Sequence, residues 1–322
     1  MSPAAARRPE RLRERLAYVA YRAGEAIVTA LPRRLVLVAA TAAGNAAFDV
    51  ARGKRELIRR NLARPLGLPP ADERVGAAAR RAFRNYARYL VDIMRIGSLS
   101  ERDVERMVRI ENIETLTSAR EGGRGVILCT VHVGGMDLIG PGLKRQGQSL
   151  HAVADDTTYP RLYDHLAAQR RRHGVFLIGW RELRRLFRAL RAGENLVLFC
   201  DGGFRRGDVP VELCGEVTTF PAGPAVLAAR SGAPMLPVAC TRAADDTFVA
   251  RGLPTVRCES EEPAELYRAT QEVADALGAV IARDPGQWYM FRPVWPEEEG
   301  DRRWARAALD AARRGKDWRR WA

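Results

Sequence analysis

The chain has 322 residues, 47% of them hydrophobic and 29% charged. That length suits one large domain or two modest ones with a self-sufficient core, and the balance excludes a disordered polar tract, a bundle of membrane helices, collagen, a coiled-coil array and a small disulfide scaffold. Lys and Arg number 53 against 39 Asp and Glu, a formal charge of +14 that fits an anionic partner: nucleic acid, an acidic membrane surface or a phosphate-bearing substrate.

The basic residues are nearly all Arg; Lys occurs only at Lys54, Lys144 and Lys316. That skew fits genome composition as well as it fits selection for phosphate. Near the start, Arg7, Arg8, Arg11 and Arg13 precede no apolar run with a small-residue cleavage site, so no signal peptide is expected. Residues 11–31 set Arg11, Arg13, Arg15 and Arg22 among Leu12, Leu16, Val19, Ile27 and Val28, an amphipathic helix stopped by Pro32. Residues 35–48 are more apolar, but Asn45 and Asp49 interrupt them before the roughly 18–20 residues that a membrane span needs. A helix lying in the membrane interface and an ordinary buried helix are both open readings. Helical periodicity continues over 54–66 and 72–98, broken at Pro69 and Pro70.

Near residue 105 the pattern changes. Apolar runs at 108–112, 125–131, 150–155, 175–179, 195–201, 209–213 and 235–240 read as strands. Helical stretches separate them from about 135 and over 160–173, 181–192 and 221–232. Such alternation predicts an α/β fold with a central sheet flanked by helices. The expected divisions are a helical, membrane-associating region at 1–104, an α/β core at 105–300 and an Arg/Trp-rich helix at 301–322. The five cysteines, Cys129, Cys200, Cys214, Cys240 and Cys258, contain no C-x-x-C pair and mostly sit in apolar runs, so they read as buried hydrophobes in a reducing compartment.

Of the histidines, His132 stands apart. It ends the run Val126–Val131 and is followed by Gly134 and Gly135, which puts a polar side chain at the carboxyl end of a buried strand. Asp137 completes His-x4-Asp. Should the chain turn into a helix after the glycines, that carboxylate can come back beneath the imidazole, accept the Nδ1 proton and free Nε2 to take a proton from a hydroxyl. Asp201, after the strand 196–200, would lie on the same sheet edge; its plain reading is a turn residue. Arg170, Arg171 and Arg172 read as a solvated face from which one side chain can reach a phosphate. His151, His165 and His173 read as surface or packing residues. No His/Cys cluster, phosphate-binding Gly loop, dinucleotide fingerprint, G-x-S-x-G elbow or nucleic-acid-binding motif is present.

The order of features resembles the lipid A biosynthesis acyltransferase superfamily, which includes lauroyl and myristoyl transferases and the phosphatidylinositol mannoside acyltransferases. Arg59-Arg60-Asn61-Leu62 resembles its N-terminal RNL helix, and Gly125 to Asp137 its strand and His-x4-Asp/Glu block. Arg170 with Gly174 resembles R-x-x-x-G. Asp201, Val211 to Gly215, Glu216 and Pro221 to Ala225 resemble its acid, F-F-G-E and P-A-G-P-A elements. Ser231 to Pro234 with Pro237, and Trp288 to Phe291 with Trp295, resemble the elements that follow. The departures lie around the acceptor: Gly135-Met136 between His and acid, Leu213-Cys214 for Phe-Phe, and Gly202-Gly203 after the second acid.

The resemblance implies a glycerolipid-acyltransferase-like mixed sheet and acyl transfer from a thioester, on coenzyme A or acyl carrier protein, to a glycolipid hydroxyl. A lysophospholipid acceptor, or an idle lipid-binding protein of the same fold, are its alternatives. His132 would be the general base. Asp137 or Asp201 would stabilise the imidazolium; the family's acid after the second strand matches Asp201, so Asp201 is expected within hydrogen-bond or one-water reach of His132 with Asp137 also near the ring, and Glu216 is held in reserve. Backbone near Gly134 and Gly135 would meet the oxyanion, and Arg170 a phosphate of donor or acceptor. No metal or redox cofactor and no nucleic acid is implied. The expected location is the cytoplasmic face of the inner membrane, against anionic lipid.

Overall fold

A computed structural model describes residues 11–154, 158–179 and 182–321. Arg7, Arg8, Asp155 and Arg181, which belong to sequence-predicted stretches, lie outside them. The N-terminal part is a layer of helices: α1 (Leu12–Ala30), α2 (Arg33–Val50), α3 (Arg52–Leu66) and α4 (Glu73–Arg95). Their breaks have local causes. Pro32 caps α2, Gly67 ends α3 in the left-handed conformation at φ 63°, and the Asp72 side chain accepts the Arg74 N–H to start α4. The apolar run of α2 is two-faced. Val36, Leu37, Ala40, Gly44 and Phe48 are buried, whereas Leu35, Val38 and Val50 are exposed. A Cβ on Gly44 would stand 2.7 Å from the Arg84 Cα, so the missing side chain lets α2 lie close against α4.

The remainder alternates strands and helices. In order come α5 (Glu101–Met107), β1 (Val108–Glu111), α6 (Ile113–Ala119), β2 (Ile127–Thr130), α7 (Ile139–Lys144), β3 (Leu150–Ala154), α8 (Pro160–Arg171), β4 (Val175–Gly179), α9 (Leu183–Arg191) and β5 (Asn195–Phe199). A hairpin of β6 (Val209–Leu213) and β7 (Glu216–Phe220) precedes α10 (Gly223–Ser231), β8 (Met235–Arg242), β9 (Phe248–Gly252), α11 (Pro263–Arg283) and α12 (Glu299–Arg313). Seven strands form one sheet in the order β1-β9-β8-β2-β5-β3-β4. All neighbours are parallel except β8 and β9, so the sheet is mixed. The run at 209–213, read as one more strand of the series, pairs only with β7 in a separate two-stranded sheet.

Strand β2 is central and fully buried, which explains its unbroken apolar sequence. Alternate residues enter different cores. Ile127, Cys129, Val131 and Val133 face the larger one, shared with α3, α4, α11 and α12, and Leu128 faces the smaller one, with α6 and α7. The C-terminal segment belongs to the larger core through Trp304, Ala308, Ala312 and Trp318. All five cysteines are free thiols, and all but Cys214 are buried.

Candidate active site

Strands β2 and β5 are parallel neighbours, with Thr130 opposite Phe199. Their carboxyl ends therefore deliver His132 and Asp201 to one point on the sheet edge. His132 Nδ1 lies 2.7 Å from Asp201 Oδ1, and the His132 backbone N–H donates to Asp201 Oδ2 at 2.8 Å. The imidazole stacks on the Phe199 ring, centroids 4.4 Å apart. Asp201 is 1% exposed, whereas the His132 side chain is 41% exposed and its Nε2 makes no hydrogen bond among the described residues. A buried acid behind an open imidazole is the arrangement of a general base and its orienting carboxylate. Burial pulls the His132 pKa down, but the charge and hydrogen bond of Asp201, with a smaller contribution from Asp137, outweigh it and raise the group above its ordinary value.

Asp137 does not hold the ring. The chain after His132 makes a short 3-10 turn, Met136–Leu138, and sends Asp137 toward the helices. There it accepts Arg170 Nε at 3.0 Å and Nη2 at 2.6 Å from α8, and the Tyr89 hydroxyl at 2.5 Å from α4. Burial alone would raise the Asp137 carboxyl; Arg170 and the Tyr89 hydrogen bond hold it below the usual range instead. Arg170 is thus engaged by a carboxylate, while Arg171 and Arg172 are exposed. Of the two carboxylates considered for the ring, Asp201, the one the resemblance favoured, faces Nδ1; Asp137 does not come back beneath the imidazole but ties the turn to two helices.

The glycine pair has a different use from the one expected. The Gly134 N–H donates to the Gln287 carbonyl at 3.0 Å and the Gly135 N–H to the Cys240 carbonyl at 2.7 Å, so neither amide is free for an oxyanion. A Cβ on Gly134 would sit 2.1 Å from the Cys240 oxygen, and one on Gly135 2.3 Å from the Phe248 ring. Gly134 also has φ +59°. The pair lets the turn press against β8 and β9. Glu216 is exposed at the start of β7, with no hydrogen bond or ion pair to His132 or Asp201 among the described residues.

Sequence reasoning left several neighbours without a role. Trp288 is fully buried and donates its indole N–H to Asp201 Oδ2 at 2.8 Å. Arg292, exposed, acts electrostatically on the His132 ring, in the direction that lowers its pKa. Trp288 appeared only as one letter of a family-like element; its meaning required knowing which carboxylate it meets. The other histidines do have partners. His151 Nε2 lies 2.5 Å from Glu194, His165 Nε2 lies 2.8 Å from Glu25, and His173 Nε2 lies 2.7 Å from the Ile96 carbonyl. Among the described residues no group of three His, Cys, Asp or Glu is arranged to hold a metal ion.

The sequence model of the family described as bacterial lipid A biosynthesis acyltransferase matches residues 6–297. A phosphatidylinositol mannoside acyltransferase of Mycolicibacterium smegmatis is 30% identical over 291 residues, 89% of this chain and 93% of that protein. One of Mycobacterium tuberculosis is likewise 30% identical over 291 residues, 86% of this chain and 87% of its own. The crystal structure of the 1-acyl-sn-glycerophosphate acyltransferase of Thermotoga maritima aligns with 80% of this chain and 99% of its own, at 18% identity and a TM-score of 0.37.

Proposed function

The chain belongs to the bacterial lipid A biosynthesis acyltransferase family and is an acyltransferase of lipid biosynthesis; we propose that it moves a fatty acyl chain from a thioester donor to a hydroxyl of a phosphatidylinositol mannoside-like glycolipid, with His132 as general base. The acceptor class follows the names of the mycobacterial relatives. The observation that carries the mechanism is the His132–Asp201 pair, with the acid buried and Nε2 open.

His132 Nε2 takes the proton as the acceptor oxygen attacks the thioester carbonyl carbon. The tetrahedral intermediate collapses, the carbon–sulfur bond breaks, and the leaving thiolate takes the proton back from the imidazolium. Asp201 stabilises the imidazolium that exists between these steps. General-base assistance of this kind contributes about 10²–10⁴-fold. With the Gly134 and Gly135 amides occupied, the exposed Arg292 is the group on the His132 side suited to a developing oxyanion or a substrate phosphate. The donor is acyl-CoA or acyl carrier protein.

Leu12, Leu16, Val19 and Ile27 on α1, and Leu35, Val38 and Val50 on α2, are exposed among exposed Arg13, Arg22 and Arg34. Among the described residues no single helix is long and apolar enough to cross a membrane, although α2 and α3, bent by 97°, pass that test together on length and composition. This face supports peripheral docking on anionic lipid at the cytoplasmic side of the inner membrane. The protein should then bind anionic vesicles and be released, at least in part, by high salt, since Arg contacts to lipid are screened; complete indifference to vesicles would remove the docking reading.

The decisive assay incubates the full chain with palmitoyl-CoA and a total lipid extract and identifies products by mass spectrometry. Acylated glycolipid supports the proposal. Acylated lysophospholipid would move the acceptor to glycerol, and no acyl transfer would reduce the protein to a lipid binder.

A further inference from the structure

The His132–Asp201 pair is held from outside the strands that carry it. Asp201 Oδ2 accepts two donors, the His132 backbone N–H and the Trp288 indole N–H, each at 2.8 Å. With Oδ2 pinned, Oδ1 is turned toward His132 Nδ1. The residues flanking Trp288 grip the same strand end: the Tyr289 N–H donates to the His132 carbonyl at 2.8 Å, and the Gln287 carbonyl accepts the Gly134 N–H at 3.0 Å. This segment hangs in turn on the N-terminal helices. Asn61 of α3, 3% exposed, donates Nδ2 to the carbonyls of Met290 and Arg292, both at 2.8 Å, and Asn85 of α4 donates to the Gly286 carbonyl at 2.9 Å.

We propose that Trp288 is a positioning residue for the His132–Asp201 pair and that Asn61 acts on that pair through the Trp288 segment. A carboxylate taken out of water needs donors for its lone pairs, and rotation of a buried, under-bonded carboxylate misaligns whatever it orients. The indole is the one side-chain donor on Oδ2 among the described residues. The proposal rests on His132 being the base. The charged groups acting on the ring are Asp201, Asp137 and Arg292.

The test is Trp288→Phe in the full chain, with palmitoyl-CoA and a glycolipid extract as substrates. Phe keeps most of the ring against Trp295, 5.9 Å away, and removes the N–H. We expect kcat to fall about 10–100-fold, the loss typical of small misplacements of reacting groups, with the KM for palmitoyl-CoA held within about threefold. The acid limb of the pH profile should move to higher pH, since a carboxylate robbed of a donor draws the imidazole proton more strongly. Trp304→Phe is the control: that indole is also buried in the core, its N–H has no partner among the described residues, and kcat should stay unchanged. Asn61→Leu should also lower kcat, and combined with Trp288→Phe it should cost less than the product of the two losses.

A Trp288→Phe enzyme with kcat within twofold of wild type and an unmoved pH profile overturns the proposal. Should that variant not fold, the wild-type protein still decides. Its Trp288 Nε1–H resonance should titrate with the midpoint of the His132 ring, and a resonance that ignores that titration overturns the proposal as well. Wild-type turnover in His132→Ala would sink the underlying reading. An inactive His132→Ala beside a fully active Trp288→Phe would sink this inference alone.

Discussion

Two histidine–carboxylate pairs of almost equal length sit in different regions of the molecule. At the sheet edge His132 Nδ1 is 2.7 Å from Asp201, and between α1 and α8 His165 Nε2 is 2.8 Å from Glu25. Their surroundings differ in ways that matter for chemistry. Asp201 has no guanidinium partner among the described residues, only neutral N–H donors besides the imidazole. Glu25 shares its charge with Gln169 and with Arg22, 3.0 Å away. The His132 side chain is 41% exposed; that of His165 is 17% exposed and meets Tyr18 and Tyr21 edge-on at 6.1 and 6.0 Å. A histidine bonded to a carboxylate is therefore no signature of a base. What distinguishes the sheet-edge pair is asymmetry: the acid is buried and undiluted, and the far nitrogen is open.

That contrast is easiest to break at its strongest point. His132→Ala should reduce turnover by about 10²–10⁴-fold while circular dichroism and the melting temperature stay near wild type, because the ring is partly exposed and fills no core. More than about a tenth of the wild-type rate would remove His132 from the reaction. Asp201→Asn should follow, with kcat down about 10²-fold and donor KM little changed, since the lost charge acts on an imidazolium that exists only during the reaction. The same variant sharpens the electrostatic side. His132 is raised above 6.5 by Asp201, and a base works only when neutral, so kcat/KM should fall as pH drops through a midpoint above 6.5. In Asp201→Asn that midpoint should move down. A midpoint that stays put would show that Asp201 is not the group raising the ring.

Asp137→Asn separates the two acids near His132. Asp137 is largely buried with Arg170, their side chains 20% and 14% exposed, so neutralising it leaves a guanidinium without its counter-charge. Loss of about 3 kcal/mol of stability is expected, with a secondary fall in turnover as the turn after His132 loosens. The sign with pH is set by the depressed carboxyl. Its contribution is present above the ordinary value of 3.8 and is lost as pH falls through the lower folded value. Denaturant melts across that window should show the acid-side slope in wild type and a shallower one in Asp137→Asn. The smallest effect on turnover belongs to the other pair. Glu25→Gln removes a largely buried charge, so some stability should be lost, about 1–3 kcal/mol, but kcat should stay within about twofold; a large loss of turnover would bring α1 into the chemistry and erase the contrast.

Much of this architecture is legible in the sequence. The helix breaks at Pro32 and at Pro69-Pro70, the strand that runs into His132 and the α/β alternation are local signals, and local signals survive in a linear sequence. Family-like elements from Asn61 to Trp295 tied the chain to acyl transfer, and residues 6–297 match that family. What differs concerns partners. Asp137, five positions from His132, can reach the ring by spacing alone and instead meets Arg170 and Tyr89, while Asp201, favoured by the resemblance, faces Nδ1. Gly134 and Gly135 looked like oxyanion donors and are consumed by the carbonyls of Gln287 and Cys240. Glu216, the reserve should Asp201 have stood on the other sheet edge, lies on a separate hairpin.

By itself, the sequence determined which side chains stand at strand ends, because strand, glycine turn and helix are written in neighbouring residues. Its residues alone left Asp137 and Asp201 both open as partners of His132, and only the family resemblance favoured Asp201. That choice depends on β2 and β5 lying side by side although 69 positions separate His132 from Asp201. It depends equally on a segment near residue 288 being folded back over both and held there by Asn61. A hydrogen bond is specific to within a few tenths of an ångström, and only the packed tertiary structure sets distances of that size between residues so far apart in the chain.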